Sequence, residues 1–395
     1  MPNLARYIVG LGLALPLALP LSTSVAETNE WRPSLDLRYR LEQVDDDRFA
    51  QDATASTLRA RIGLISPDWS GWQFGVTAHA NRHLGSEDFN STANGRTAYP
   101  VVADPDDENV SEAWIAYSRP EGFSLRAGRQ RLIEDNVRFL GNVGFRQLEQ
   151  TFDAVTLGFE PGEWRVDLRW LDKAHRVFGP SNPNELLAEA DLNTWMTTLE
   201  RALGKSRLAF YAHRIAFDDR AASHRNLGLR LSGDLPGASK LAYRLEFARQ
   251  DGIRRLDDVD GQNYVHGRIA QKLAHWHWFA GHERLGGDGD YAFQTPLATL
   301  HAHNGWTDQF LSTPPNGLVD TYAAAGANFG RWSGLLKLHD FRSERGSKNY
   351  GREFGLMAKR PLGAGLSVEI KAALFDGDDG RADVSKMWLT LHGNW

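Results

Sequence analysis

The chain has 395 residues, a formal net charge of −5 and no cysteine, with 13 Trp, 19 Phe and 10 Tyr. This charge argues against a nucleic-acid partner, and the missing cysteines exclude a fold held by disulfides. The many aromatic residues are typical of proteins with aromatic belts at membrane interfaces.

The first 26 residues have the pattern of a secretory signal. Arg6 precedes an apolar run from Tyr7 to Leu21, and small residues follow at Ser24 and Ala26. A membrane anchor is the alternative, but the run is short and two prolines interrupt it. We therefore predict a signal peptide over 1–26 and a mature protein over 27–395. No later stretch is apolar enough to predict a membrane-spanning helix.

After the signal, apolar and polar side chains alternate along the whole chain. A period of two predicts β-strands, because successive side chains point to opposite faces. In residues 58–64 the apolar residues share one face, while Arg59 and Arg61 lie on the other. About eighteen such segments are predicted, each near the ~9–11 residues of a tilted membrane strand. Their predicted starts are residues 34, 55, 72, 110, 123, 152, 164, 192, 207, 224, 240, 262, 275, 319, 331, 351, 366 and 383.

The connections between these segments alternate in length. Short connections are predicted at 66–71, 118–122, 160–163, 200–206 and 360–365, and long ones at 84–109, 132–150, 172–191 and 286–318. Short periplasmic turns and long extracellular loops are typical of an outer-membrane barrel. We predict an all-β fold, a transmembrane antiparallel β-barrel with about 18 strands, in the outer membrane of a Gram-negative bacterium.

The last strand, residues 385–395, explains how the ring closes. Met387, Leu389 and Leu391 share one face, and the chain ends on Trp395. In a soluble sheet this would be an exposed, adhesive edge. We predict that it pairs with the first strand instead and faces lipid. The terminal aromatic resembles the signal that barrel-assembly machinery reads, although Phe is the usual residue there. The expected partners are this machinery, outer-membrane lipid and lipopolysaccharide.

Charge decides which face of each strand looks inward. A Lys or Arg at mid-bilayer costs roughly 2–4 kcal/mol, so the charged face must line the lumen. On this register the inward basic residues outnumber the inward acidic ones, and acidic residues concentrate in the connections. One interpretation is a pathway for anionic solutes. The other is a structural network in which inward Arg residues pair with inward carboxylates.

Two stretches contain distinctive motifs in addition to the apolar/polar alternation of the strands. Residues 128–157 begin with Gly128-Arg129-Gln130 and contain Arg138 and Thr151-Phe152-Asp153-Ala154. Residues 283–322 contain Thr295-Pro296-Leu297 and Asn304-Gly305-Trp306. Both stretches resemble the alginate export family of outer-membrane porins. The resemblance implies a monomeric barrel of eighteen strands with a lumen rich in Arg and acidic residues, which passes an anionic uronate polymer in the founding members.

The expected function is therefore passive diffusion of anionic solutes, alginate-like uronate saccharides among them. The alternatives are a specific channel for small organic carboxylates and an outer-membrane barrel enzyme. The predicted lumen-lining or solute-binding residues are Arg38, Arg40, Arg59, Arg61, Arg126, Arg129, Arg138, Arg165, Asp167, Arg169, Arg244, Glu246 and Arg268.

The sequence offers no catalytic motif and no cofactor-binding motif, and we predict neither catalytic residues nor a cofactor. Asp288 and Asp290 could bind Ca²⁺, but this spacing in a glycine-rich stretch is more typical of a turn. His275 and His277 could share a metal, but no third ligand is evident. No metal site is predicted.

The late connection, residues 286–318, is too long for an idle loop in a compact protein. It contains several apolar residues, among them Phe293, Trp306 and Phe310. Because an exposed loop has no reason to carry them, we expect it to fold into the mouth or lumen of the barrel and narrow the pore.

Overall fold

The computed structural model describes residues 30–235, 237, 241–257 and 259–395. The predicted signal peptide lies outside the described residues. Within them, eighteen antiparallel strands form one ring, in which each strand pairs with its neighbours along the chain and the last pairs with the first. The predicted fold class is confirmed. No helix in the described part of the chain is long and apolar enough to span a bilayer.

The strands follow one another around the ring in chain order, with one short helix between β7 and β8. Their bounds are β1 Arg32–Asp46, β2 Ala53–Ile65, β3 Trp72–Asp88, β4 Asp107–Ser118, β5 Phe123–Gln130, β6 Thr151–Phe159, β7 Trp164–His175, α1 Glu185–Ala188, β8 Glu189–Leu203, β9 Ser206–Ile215, β10 His224–Asp234, β11 Leu241–Gly252, β12 Gln262–Lys272, β13 Trp276–Leu285, β14 Leu318–Phe329, β15 Trp332–Arg342, β16 Asn349–Gly363, β17 Leu366–Gly377 and β18 Val384–Asn394.

The predicted strand starts agree with these bounds. The largest differences occur at β4, predicted from residue 110 and observed from Asp107, and at β8, predicted from residue 192 and observed from Glu189. Several strands exceed the ~9–11 residues needed to cross a bilayer. The longest is β3, with 17 residues. These strands must therefore extend beyond the membrane.

The ring closes through pairing of β1 with β18, as the alternating pattern of the C-terminal residues predicts. Leu41 is opposite Leu389 and Leu37 is opposite Gly393 in this antiparallel pair. The two faces also separate as predicted. Met387 on the outward face is 54% exposed, whereas Lys386 and Trp388 on the inward face are buried. Alternation therefore sends apolar side chains toward lipid and charged side chains into the lumen.

One rim of the barrel carries short turns and the other carries long loops. At the short-turn rim, β8 continues to Leu203 and β16 to Gly363, so the connections predicted at 200–206 and 360–365 are mostly strand. Two-residue turns remain at 204–205 and 364–365, and Gly204 and Gly365 take the positive φ such turns require. At the long-loop rim the main connections are 89–106, 131–150, 176–188 and 286–317.

Loop 131–150 and loop 286–317 do not stand clear of the barrel. Both carry buried apolar side chains, including Leu140 and Leu148 in one and Phe293 and Leu297 in the other. The two loops also bond to each other. The Gly141 N–H donates to the Leu297 carbonyl at 3.0 Å, and the Thr299 N–H donates to the Val137 carbonyl at 3.0 Å. They pack as one unit against the inward faces of the strands.

Candidate solute pathway

The beginning of loop 131–150 binds the wall formed by β7 and β8. Arg169 donates to the Glu134 carboxylate at 3.2 Å, and the Thr198 hydroxyl donates to it at 2.7 Å. Burial alone would raise the pKa of Glu134, but the positive charge of Arg169 and the nearby His213 lower this pKa below its usual value. Glu134 is therefore a charged anchor for the loop.

The next residue, Asp135, anchors the loop to β10 and β11. It accepts hydrogen bonds from Arg230 at 2.8 Å and from Arg244 at 3.0 Å. Burial would raise the pKa of Asp135, but the two guanidinium groups outweigh burial and lower it. Arg244 also bonds to Glu246 on its own strand. The Asp135 carboxylate thus neutralises two inward-facing arginines, Arg230 and Arg244.

The end of loop 131–150 reaches the opposite wall, formed by β1, β2 and β3. The Arg38 guanidinium donates to the Gln147 side chain at 2.8 Å, and the Gln147 amide donates to the Thr57 hydroxyl at 2.8 Å. His79 bonds to the Gln147 backbone carbonyl at 2.6 Å. The loop is therefore fixed to both sides of the ring and crosses the lumen.

A buried cluster joins the two loops to β12 and β13. Arg138, at 1% exposure, donates to Glu283 at 2.8 Å and to Asn304 at 3.0 Å. Asn304 in turn donates to Glu283 at 2.7 Å, and the Tyr264 hydroxyl donates to it at 2.8 Å. Every polar atom of the Glu283 carboxylate thus has a partner, which is the condition for a buried ion pair to be tolerated.

Loop 286–317 is held by two further carboxylates. Glu353 on β16 accepts bonds from the Trp306 N–H, the Thr307 N–H at 2.9 Å and the Thr307 hydroxyl at 2.6 Å. Asp308 within the loop pairs with His301 at 2.8 Å and with Lys386 of β18 at 3.4 Å. Burial lowers the pKa of His301 to about 3, so this imidazole is neutral at physiological pH.

An aromatic cage surrounds a lysine of β17 beside these carboxylates. The Lys371 ammonium lies 4.5 Å from the ring centre of Phe145, 4.3 Å from that of Trp306 and 4.9 Å from that of Trp388. Its ring contacts come from the two loops and from β18. Cation–π attraction therefore adds to the forces that hold both loops inside the barrel.

The structure places most predicted site residues on the inward side of the strands. Inward-facing are Arg38, Arg40, Arg59, Arg61, Arg126, Arg165, Asp167, Arg169, Arg244, Glu246 and Arg268. Arg138 lies in loop 131–150 and is buried inside the ring.

Arg129 lies on the other face and does not line the lumen. In β5 it shares a face with Leu125 and Ala127, whereas Arg126 and Gln130 point inward. Its guanidinium binds Asp153 at 2.9 Å on the outward side of β6. The expectation that Arg129 lines the pathway is therefore wrong. Arg129 is three residues from the inward-facing Arg126, and an odd separation along a strand places two side chains on opposite faces.

Many inward arginines are neutralised by carboxylates. Arg59 pairs with Asp36, and Arg165 pairs with Asp167 at 2.8 Å. Three arginines bind other groups, and no carboxylate among the described residues forms an ion pair with them. Arg38 and Arg40 donate to backbone carbonyls of loop 131–150, and Arg126 stacks over Trp114 at 4.2 Å. The lumen thus contains both the structural network and basic side chains without an anionic partner.

Sequence reasoning missed the loop residues that do most of the anchoring. These are Glu134, Asp135, Gln147, Glu149 and Asp308. Four of them are in the stretch 128–157, which resembles the alginate export family. Charged residues inside a loop that also carries many apolar residues were the available signal, because such a loop must pack against something.

Asp288 acts in a turn. One of its carboxylate oxygens accepts the backbone N–H of Asp290 at 2.9 Å and that of Tyr291 at 2.7 Å. No cluster of three or more His, Cys, Asp or Glu residues with the geometry of a metal site occurs in the described ranges.

The described part of the ring encloses a cavity at each rim. The outer cavity has a volume of about 750 Å³ and lies at the long-loop rim. Its charged lining residues are Arg48, Arg146, Arg176, Lys386, Asp46 and Asp308. The inner cavity has a volume of about 290 Å³ and lies at the short-turn rim. Its charged lining residues are Lys205, Arg207, Arg244, Arg268 and Asp234.

The low pKa values of Glu134 and Asp135 predict how the loop responds to acid. A lowered folded-state pKa stabilises the anchored loop above the ordinary carboxyl pKa of about 4, and this stabilisation is lost as pH falls further. Single-channel current noise should therefore be constant from pH 7 to pH 5 and rise only in stronger acid. Asp135→Asn should be noisy at every pH. Noise that increases already between pH 7 and pH 5 would contradict these anchors.

Comparison with known proteins agrees with this architecture. The sequence description of the alginate export family matches residues 29–297. No curated protein matches the chain. Among solved structures, OccK3 (OpdO) of Pseudomonas aeruginosa has a TM-score of 0.69 and 15% identity, with 93% of this chain and 96% of that chain covered.

Two other solved structures show the same fold. The outer membrane protein OpdK of Pseudomonas aeruginosa has a TM-score of 0.70 and 12% identity, covering 93% of this chain and 98% of its own. OccAB2 of Acinetobacter baumannii has a TM-score of 0.70 and 14% identity, covering 92% and 98%. With the sequence match over more than half of its length, the chain belongs to the alginate export family of outer-membrane β-barrel channels.

Proposed function

We propose that this protein is a passive, monomeric outer-membrane channel that prefers anionic solutes. The observation that carries the proposal is the charge of its two cavities. Among the lining side chains, the outer cavity has four basic groups against two carboxylates and the inner cavity has four against one. Arg146 and Arg244 also pair with carboxylates behind the walls, so the excess rests on the other basic groups, Arg176 and Lys205 among them. Basic lining on both sides of the packed loops would raise the local concentration of anions at each entrance, because a low-dielectric wall focuses the potential.

Acidic saccharides and smaller carboxylates both fit this proposal. Uronate-containing saccharides are favoured by the family to which the chain belongs. Small organic carboxylates are favoured by the outer cavity, whose wall includes the apolar Phe49, Phe178 and Leu300 beside Arg176. An arginine fork binds carboxylate in either case, while the apolar surface would contact a hydrophobic ring or chain.

Arginines of the cavity walls are better test positions than those in the loop anchors. Charge reversal at Arg59 or Arg169 would break a pair with Asp36 or Glu134 and would disturb the packing as well as the potential. Arg176 and Arg207 line the two cavities away from these anchors. Substitution of either by glutamine changes the potential and removes no hydrogen bond or ion pair that the structure shows to loop 131–150 or loop 286–317.

The test is the reversal potential in a salt gradient across a planar bilayer. The wild-type channel should prefer anions, and Arg176→Gln combined with Arg207→Gln should move the reversal potential toward zero. Arg201→Gln is the matched control, because Arg201 is at the short-turn rim but faces outward beside Trp164. It should behave as wild type.

Cation preference in the wild-type channel would contradict the proposal. If the channel prefers anions, block of the ionic current by candidate solutes identifies the class of solute that it passes. Uronate oligomers should be compared with small aromatic and aliphatic carboxylates of equal charge at the same concentration. A solute that enters the outer cavity should reduce the ionic current, and Arg176→Gln should weaken that block.

A further inference from the structure

Three consecutive strands each carry an arginine on the lipid-facing side of the barrel at its long-loop rim. Arg214 of β9, Arg225 of β10 and Arg249 of β11 form what we name the outer arginine patch. Arg225 is 67% exposed and Arg249 is 52% exposed. On each strand, the patch arginine is the first charged outward residue beyond the apolar outward residues. Those apolar residues are Leu208, Phe210 and Ala212, then Leu227, Leu229 and Leu231, and then Tyr243, Leu245 and Phe247.

The patch has more positive charge than its own neighbours neutralise. Arg214 and Arg225 are direct cross-strand partners, and like charges in this position repel across about 4.5–5.5 Å between Cβ atoms. Asp251 accepts from both Arg225 at 3.3 Å and Arg249 at 3.1 Å. Arg214 donates to the backbone carbonyl of Asn193 at 2.9 Å. Asp251 therefore neutralises Arg225 and Arg249 together, whereas Arg214 binds a backbone carbonyl.

The carboxylates of the neighbouring strand are already engaged. Glu189 and Asp191, at the outer end of β8, bind Lys173 at 2.6 and 3.0 Å. Within the described part of the chain, no carboxylate forms an ion pair with Arg214. An external anion is the group that would remove the repulsion between Arg214 and Arg225.

The position of the patch identifies the kind of anion. It borders the outward apolar band directly, so we expect it at the depth where lipid headgroups meet acyl chains. Trp195 of β8 is the cross-strand partner of Arg214 and is 54% exposed, as is typical of an interfacial aromatic. Arginine binds phosphate through two parallel hydrogen bonds. We propose that the outer arginine patch binds a phosphate of the outer-leaflet glycolipid, the lipid A of lipopolysaccharide, whose acyl chains cover the apolar wall below.

Native mass spectrometry of the detergent-purified barrel tests this site. The probes are bisphosphorylated lipid A and the same lipid after enzymatic removal of both phosphates. The wild-type protein should bind the phosphorylated form at least about tenfold more tightly, since charge-assisted hydrogen bonds are the strong ones. The double variant Arg214→Gln and Arg225→Gln should lose most of this difference.

The matched control is Arg201→Gln. Arg201 is an outward-facing, partly exposed arginine of β8, but it lies at the short-turn rim, where its guanidinium covers Trp164 at 5.1 Å. This variant should bind lipid A as wild type does. Correct folding of all variants is checked by heat-modifiable gel mobility and unchanged single-channel conductance. Equal binding of the two lipids by wild-type protein, or equal binding by wild type and the double variant, would overturn the proposal.

Discussion

Replacing Arg138 by alanine is expected to release loop 131–150 from the barrel wall. Arg138 and Glu283 form an ion pair at 2.8 Å in which the side chains are 1% and 3% exposed. Removal of one partner leaves the other charge buried without compensation, which costs about 3–5 kcal/mol. The strands keep their backbone hydrogen bonds, so the loss should fall on the loops. Limited proteolysis should cut the variant within 131–150 while the barrel stays folded on a gel.

Arg129→Ala is the control for this experiment. Arg129 and Arg138 belong to the same distinctive stretch, but the Arg129–Asp153 pair lies on the outward face and its side chains are 30% and 33% exposed. Partly exposed pairs contribute about 0–1 kcal/mol, so the loop should remain protected. Arg138→Met with Glu283→Gln should recover most of the protection, because neither buried charge is then left alone. Equal protease sensitivity of Arg129→Ala and Arg138→Ala would contradict the buried anchor.

The barrel could be predicted from sequence because its rule is local. Charged and apolar residues alternate within each strand, and lipid tolerates only one of the two faces. In β2 this rule alone placed Arg59 inward and Ile62 outward, and the structure agrees. Closure through β18 followed from the same rule applied to the last residues of the chain.

The anchors of the loops could not be predicted in the same way. Asp135 binds Arg230 and Arg244, which are far from it in the sequence, and nothing in the alternation of β10 or β11 identifies that partner. The choice depends on where a loop with no regular structure crosses the lumen. Sequence therefore identifies the inward arginines but not whether a loop carboxylate, a backbone carbonyl or a solute binds them.

Arg129 is a different case, because the sequence contained the information that corrects it. Arg126 was placed inward, and Arg129 is three residues further along the same strand. An odd separation in a strand reverses the face. The resemblance of residues 128–157 to a family suggested a common role for Arg129 and Arg138, whereas the register separates them. A family stretch can therefore contain both a lipid-side and a lumen-side arginine.

Deleting most of loop 286–317 is expected to increase single-channel conductance several-fold. The loop lies inside the lumen and is attached to the wall at two points. Thr307 binds Glu353, and Asp308 binds Lys386. The two ends of the loop lie close together, which makes a short replacement possible. A Cβ built on Gly287 would collide with the backbone nitrogen of Gly317. The two glycines can therefore be joined by a short Gly-Ser linker while β13 and β14 keep their pairing.

The deletion should also change selectivity, because it removes Asp308 from the outer cavity and leaves Lys386 and Lys371 without their loop partners. Anion preference should therefore rise together with conductance. Inserting two residues after Gly330, in the turn between β14 and β15 at the opposite rim, is the control. A Cβ at Gly330 would meet no atom within 4 Å, so this insertion should alter neither quantity. Unchanged conductance in a folded deletion variant would place loop 286–317 outside the pathway. Higher conductance with unchanged selectivity would mean that the charge of Asp308 has no part in filtering solutes.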